Sequence, residues 1–290
     1  MFTLDAKDFS FAGADLSRPE CIVAERDGTL WVSDNRGAIT RIIPDGQQQR
    51  LGRMGGKPNG MTMAGDGSFL MANIALRRFY RVSRNGEEKV FLDTIEGQPV
   101  GAANFVERDP LGRLWLSVSS RLENHLEALE SDIPDGYVIL LDEKGPRIVA
   151  DGLLFTNEVR LDAEMGWLYM AETRGGRVSR APVLDDGSLG PREIFGPEPI
   201  FDGALIDGIR FDMDGNLWVT EITRNRLYMI APNGTAHMVF EDPSSEILDH
   251  PSSLTFAGHD LRTVYVGGLG QTRLATFRAP VAGLPPAHWV

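Results

Sequence analysis

A single cysteine, Cys21, stands among 290 residues, so the chain has neither an intrachain disulfide nor a cluster of thiolate metal ligands. Its five histidines show no metal-ligand spacing. Basic residues are outnumbered, 29 Lys and Arg against 41 Asp and Glu, for a formal net charge of -12. That deficit excludes the basic footprint a nucleic-acid backbone requires, and it suits a site that attracts a cation. No run approaches the ~20 apolar residues of a membrane-spanning helix. The opening MFTLDAKDFSF has no basic segment and no apolar one, so neither a signal peptide nor a membrane partner is expected, and a cytoplasmic protein is. Helical periodicity is almost missing too. One stretch, SRLENHLEALES (120–131), reads as a helix and as an insertion over one face. Without amphipathic segments between strands, a parallel α/β fold is excluded.

Turns, by contrast, are plentiful, with 32 Gly and 17 Pro, and they punctuate a repeat. The phrase TLWVSD (29–34) returns as SFLMAN (68–73), RLWLSV (113–118), WLYMAE (167–172), NLWVTE (216–221) and TVYVGG (263–268). Its anchors Trp31, Leu70, Trp115, Tyr169, Trp218 and Tyr265 are 39, 45, 54, 49 and 47 residues apart. Each copy follows a turn such as Asp27-Gly28, Asp66-Gly67 or Asp214-Gly215, a strong hairpin signal. A third strand follows each, from AITRII (38–43) to RLATFR (273–278). Fourth strands are fainter, and only five come in order. The sixth is assigned to DFSFAG (8–13), which would close the last blade from the other end of the chain. The pattern predicts an all-β, six-bladed β-propeller of four-stranded blades, one domain over residues 1–290.

Counting back eleven or twelve residues from each anchor gives Glu20, Asn59, Asn104, Asn157, Asp207 and Ser253. All six carry side-chain oxygen, and all precede the strand expected to line the central channel. Oxygen-bearing residues commonly cap turns; six in one register point instead to a shared site. Two carboxylates facing each other in a narrow channel repel unless a cation sits between them. Hard oxygen donors without sulfur or imidazole suit Ca²⁺, with Mg²⁺, Mn²⁺ and Zn²⁺ as alternatives.

At these residues the chain resembles the SMP-30/gluconolactonase family of six-bladed, metal-dependent lactonases. The resemblance implies one divalent metal held by Glu20 in RPEC, Asn104 in AANF, Asn157 in FTNEVRL and Asp207 in IDGIRFD, with Asp207 as general base. It implies a small-molecule lactone or ester as substrate. Asn59, in KPNGMTM, keeps an Asn-Gly phrase placed for contact with substrate or a metal-bound water. Three slots depart from the family pattern. Glu158 follows Asn157 where a Gly is usual, Ala102 stands where an Arg contacts substrate, and Phe105 replaces an acidic residue. If these three line the substrate site, it is less polar than a plain aldonolactone would want.

His250, just before the sixth inner strand, is a further candidate for substrate contact. His125 falls on the insertion and reads as lid surface. Cys21 reads as a small buried hydrophobe turned off the axis. Asp34, Asn73, Glu172 and Glu221 end second strands and read as partners of turns. The alternatives to a lactonase are a phosphotriesterase-like hydrolase, a strictosidine-synthase-like propeller enzyme, and a non-enzymatic interaction propeller. The last has no use for two carboxylates converging at the channel mouth.

Overall fold

A computed structural model describes residues 2–290. Six four-stranded antiparallel sheets follow one another as the blades of a β-propeller. Their inner strands are Ile22–Ala24, Pro58–Met63, Ala103–Arg108, Thr156–Leu161, Ile206–Phe211 and Pro251–Ala257. The sixth sheet runs Pro251–Ala257, Thr263–Gly268, Leu274–Arg278 and then Ser10–Ala12, so the expected strand from the start of the chain does complete the last blade. Ser10 pairs with Thr276 and Ala12 with Leu274. Blade 6 also bonds to blade 1 at the axis, where Ser252 Oγ donates to the Glu20 carbonyl at 3.2 Å.

The hairpin signals explain the blades locally. In the turn at Asp214-Gly215, Gly215 has φ 77, a left-handed conformation that costs a glycine little. Asp212 Oδ1 accepts from the backbone N–H groups of Asp214 and Asn216, which holds the turn. Its other oxygen accepts from the Trp218 indole at 3.0 Å, so one carboxylate shapes the turn and satisfies the buried anchor. Asp109 does the same for Trp115. The apolar faces then pack as wedges between neighbouring sheets, for example Trp218 with Phe256 and Phe277 between blades 5 and 6.

Two features set the channel. The inner strands of blades 2 to 6 each break register at the ring positions, between Pro58 and Met61, Ala103 and Phe105, Thr156 and Val159, Ile206 and Ile209, and Pro251 and Ser253. A bulge leaves residues off the ladder and re-aims their side chains. The far end of the channel is sealed by the segment 282–289. Its Trp289 indole donates to the Ala24 carbonyl at 2.9 Å, and Leu284 N–H bonds Phe211. The near end is roofed by the short helix His125–Glu130. Among the described residues, no helix is long and apolar enough to cross a membrane.

Candidate metal centre

All six ring residues are buried. Four of them, Glu20, Asn104, Asn157 and Asp207, line one cavity of about 250 Å³ at the near end. In blades 1, 2, 4 and 5 the loop entering the inner strand is tied by a repeated device. The last residue of a blade's second strand, or the residue just after it in blade 1, accepts a backbone N–H two or three residues before the ring position. Asp34 takes Ser17, Asn73 takes Lys57, Glu172 takes Leu154 and Glu221 takes Leu205.

The amide nitrogens of Asn104 and Asn157 are already committed within the protein. Asn157 Nδ2 donates to Thr173 Oγ1 at 3.0 Å and Asn104 Nδ2 to Ser119 Oγ at 2.9 Å. Asn59 donates to the Asn104 carbonyl at 3.0 Å and side-chain oxygen at 3.2 Å, bracing its neighbour. Left over are Glu20 Oε2, Asn157 Oδ1 and Asp207 Oδ1, buried and without a hydrogen-bond donor in the protein. The Arg18 guanidinium lies 3.1 Å from Glu20 Oε2 as an ion pair without hydrogen-bond alignment. Burial raises the Glu20 carboxyl above its ordinary range, with Arg18 pulling it back. Burial, then the charges of Glu20 and Glu158, drive Asp207 well above its own. Buried oxygens normally find partners, so three hard donors on the wall of one cavity, two of them carboxylate oxygens, fit a divalent cation with oxygen preference. No group of three or more His, Cys, Asp or Glu side chains poised for a metal occurs among the described residues; the donor set here is two carboxylates and two amides.

The family model described as the SMP-30/Gluconolactonase/LRE-like region matches residues 18–268. The chain belongs to this family. A 6-deoxy-6-sulfogluconolactonase of Pseudomonas putida is 24% identical over 168 residues, 58% of this chain and 54% of the relative. The chain spans about half the length of the curated relatives it matches. Among solved structures, a gluconolactonase from Xanthomonas campestris has a TM-score of 0.75 at 18% identity, over 92% of this chain and 88% of its own. A calcium-binding regucalcin from Agrobacterium tumefaciens has 0.74 at 15%, over 95% and 96%. At such identities the likeness speaks to the fold.

Against that family pattern, the structure moves several expected substrate contacts off the cavity. In this SMP-30/gluconolactonase propeller, Gly60 and Gly208 follow ring residues because a Cβ there would sit 2.7 Å from Phe105 Cα or 2.4 Å from the Ser252 carbonyl. Glu158 takes the same place in blade 4 and turns down the channel instead. Its Oε1 accepts from Ser253 Oγ at 2.6 Å, and its Oε2 from Arg160 at 2.7 Å and Ile209 N–H at 3.2 Å. Phe105 lies below the ring with the Arg160 guanidinium 4.2 Å over its face. Ala102 is covered by the insertion helix, packed with Ala128 and Phe155. His250 points outward, its side chain 58% exposed and bonded to Asp249. None of these four lines the cavity, and neither does Asn59.

Arg18, Lys57, Phe155 and Ile222 do line it, and sequence reasoning passed over them. A signal was available: Arg18, Lys57 and Phe155 each stand two residues before a ring position. His125 also lines it. Burial, then Lys57 and Arg18, push its imidazole down from 6.5 to about 4. The unfolded chain therefore binds this proton more tightly, and stability should fall as pH drops from 6.5 toward 4. Thermal melts of His125→Gln across that window should show a shallower slope; an unchanged slope would contradict the assignment.

Proposed function

We propose that this propeller hydrolyses a lactone at the near-end cavity. The carrying observation is the convergence there of four oxygen donors, three with buried oxygens lacking a donor. The names of its relatives support the reading: the Pseudomonas putida protein is a lactonase and the Agrobacterium tumefaciens protein binds calcium. A divalent cation held by Glu20, Asn104, Asn157 and Asp207, Ca²⁺ by this donor chemistry with Zn²⁺, Mg²⁺ and Mn²⁺ as alternatives, would polarise the carbonyl and neutralise the charge that develops on its oxygen.

The protein's own groups do the rest. Asp207 is the general base: its raised proton affinity suits it to take a proton from the attacking water as the water oxygen bonds to the carbonyl carbon. When the ring C–O bond breaks, that proton passes to the departing alkoxide, and the product is an open hydroxy acid. The side-chain bonds of Asn104 to Ser119 and of Asn157 to Thr173 fix the amide oxygens toward the reacting group. Leu126 and Leu129 of the roofing helix, with Phe155, shield it from bulk water.

A panel of lactones and simple esters, followed by acid release in a pH indicator with Ca²⁺ and with EDTA, tests this. Hydrolysis of at least one lactone, abolished by chelation and restored by Ca²⁺ or another divalent ion, is expected. Undiminished activity in EDTA, or none on any lactone, would sink it.

A further inference from the structure

We propose, resting on the lactonase reading, that the substrate is a small lactone carrying an anionic substituent, a carboxylate or sulfonate, held by Arg18 and Lys57. The two cations come from adjacent blades at one register, two residues before Glu20 and Asn59, and both line the cavity. The equivalent slot in blade 3 is Ala102, lost beneath the insertion helix. In blade 4 it is Phe155. The two cations that line the cavity thus come from blades 1 and 2.

Arg18 has φ 53, a left-handed conformation that is strained for a side-chain-bearing residue. That conformation brings its guanidinium to Glu20 at 3.1 Å and to the Pro58 carbonyl at 3.3 Å, fixing it at the cavity wall. Lys57 has its backbone N–H pinned by Asn73 Oδ1 at 3.1 Å, and its ammonium forms no ion pair among the described residues. Two cations here balance two carboxylates, so a bound divalent ion leaves the chamber net positive. A charge-compensating ligand is favoured there. Much of the remaining wall is apolar, with Ile74, Leu126, Leu129, Phe155, Ile222 and Leu269. A polyhydroxylated ring would leave hydroxyls unpaired against those side chains, which disfavours it. A cavity of about 250 Å³ lies below the usual drug-sized range and suits a compact ring.

The test compares 5-oxotetrahydrofuran-2-carboxylate with its uncharged primary amide on Ca²⁺-loaded protein. Wild type should prefer the carboxylate by about ten-fold or more in kcat/KM, expressed mainly in KM. Lys57→Met should collapse that ratio about ten-fold and Lys57→Arg restore most of it; Arg18→Gln gives a second arm. An unchanged ratio in Lys57→Met overturns the proposal. Should no lactone be hydrolysed at all, the lactonase reading fails, and calorimetric titration with 5-oxoproline and its uncharged amide still decides the clamp. Carboxylate-selective binding lost in Lys57→Met upholds it, and no selective binding refutes it.

Discussion

Exchanging Asp207 for asparagine should give a folded, more heat-stable protein whose turnover is about a thousandth of wild type. The substitution keeps the size of the side chain and one donor oxygen, and removes the proton acceptor proposed for the attacking water. It also removes a buried carboxyl whose proton affinity is raised by burial and by the neighbouring Glu20 charge. Relief of that repulsion stabilises the fold while the chemistry is lost, the opposite signs expected where a site stores strain for function. The measurements are kcat on the best lactone of the panel, a Ca²⁺ titration to show that the metal still binds, and a melt in EDTA. Near wild-type kcat in folded, Ca²⁺-loaded protein would remove Asp207 from the role of base. A lower melt in EDTA would show that the carboxylates do not strain the cavity.

Glu158→Ala should act on stability, lowering it by about 3–5 kcal/mol, because it leaves a buried guanidinium short of a counter-charge. Arg160 would keep Glu107 at 2.5 Å and the Ile209 carbonyl at 2.9 Å, which favours the lower end of that range. Ser253 Oγ and Ile209 N–H would lose their acceptor together. Glu158→Gln, which retains acceptor capacity, should lose less. Chemical denaturation of both variants checks this. A Glu158→Ala protein as stable as wild type would mean that the carboxylate does not brace the channel.

The blades were legible because hairpin chemistry is local: Asp-Gly turns and alternating apolar residues sit within a dozen positions of each other. Fourth strands were faint for a matching reason. An outer strand such as Gln48–Leu51 faces solvent along much of its length and has little apolar pattern to show. The ring of oxygen donors followed from register alone, and the structure brings four of its members to one cavity. The substrate wall was less readable. Its composition depends on where a helix from blade 3 lands, on bulges that exist only when two strands pair, and on a left-handed Arg18. The sequence places Ala102 and Phe105 beside a ring residue, where substrate contact is expected, yet tertiary packing covers one and buries the other. His250 lies close in sequence to the ring and, with φ 52, turns out of it.

The seam in the sixth sheet has a kinetic consequence. Ser10–Ala12 has no partner until Leu274–Arg278 exists, so this pairing spans nearly the whole chain and its loop closure comes at a high entropic cost. During synthesis the first strand must wait, exposed, through the making of five blades. Glu20, a few residues further on, takes its neighbour in blade 6 only at that last step, through Ser252. The donor set is therefore completed after nearly everything else, and cation affinity should arise late in refolding, together with ring closure and not with the earlier growth of sheet.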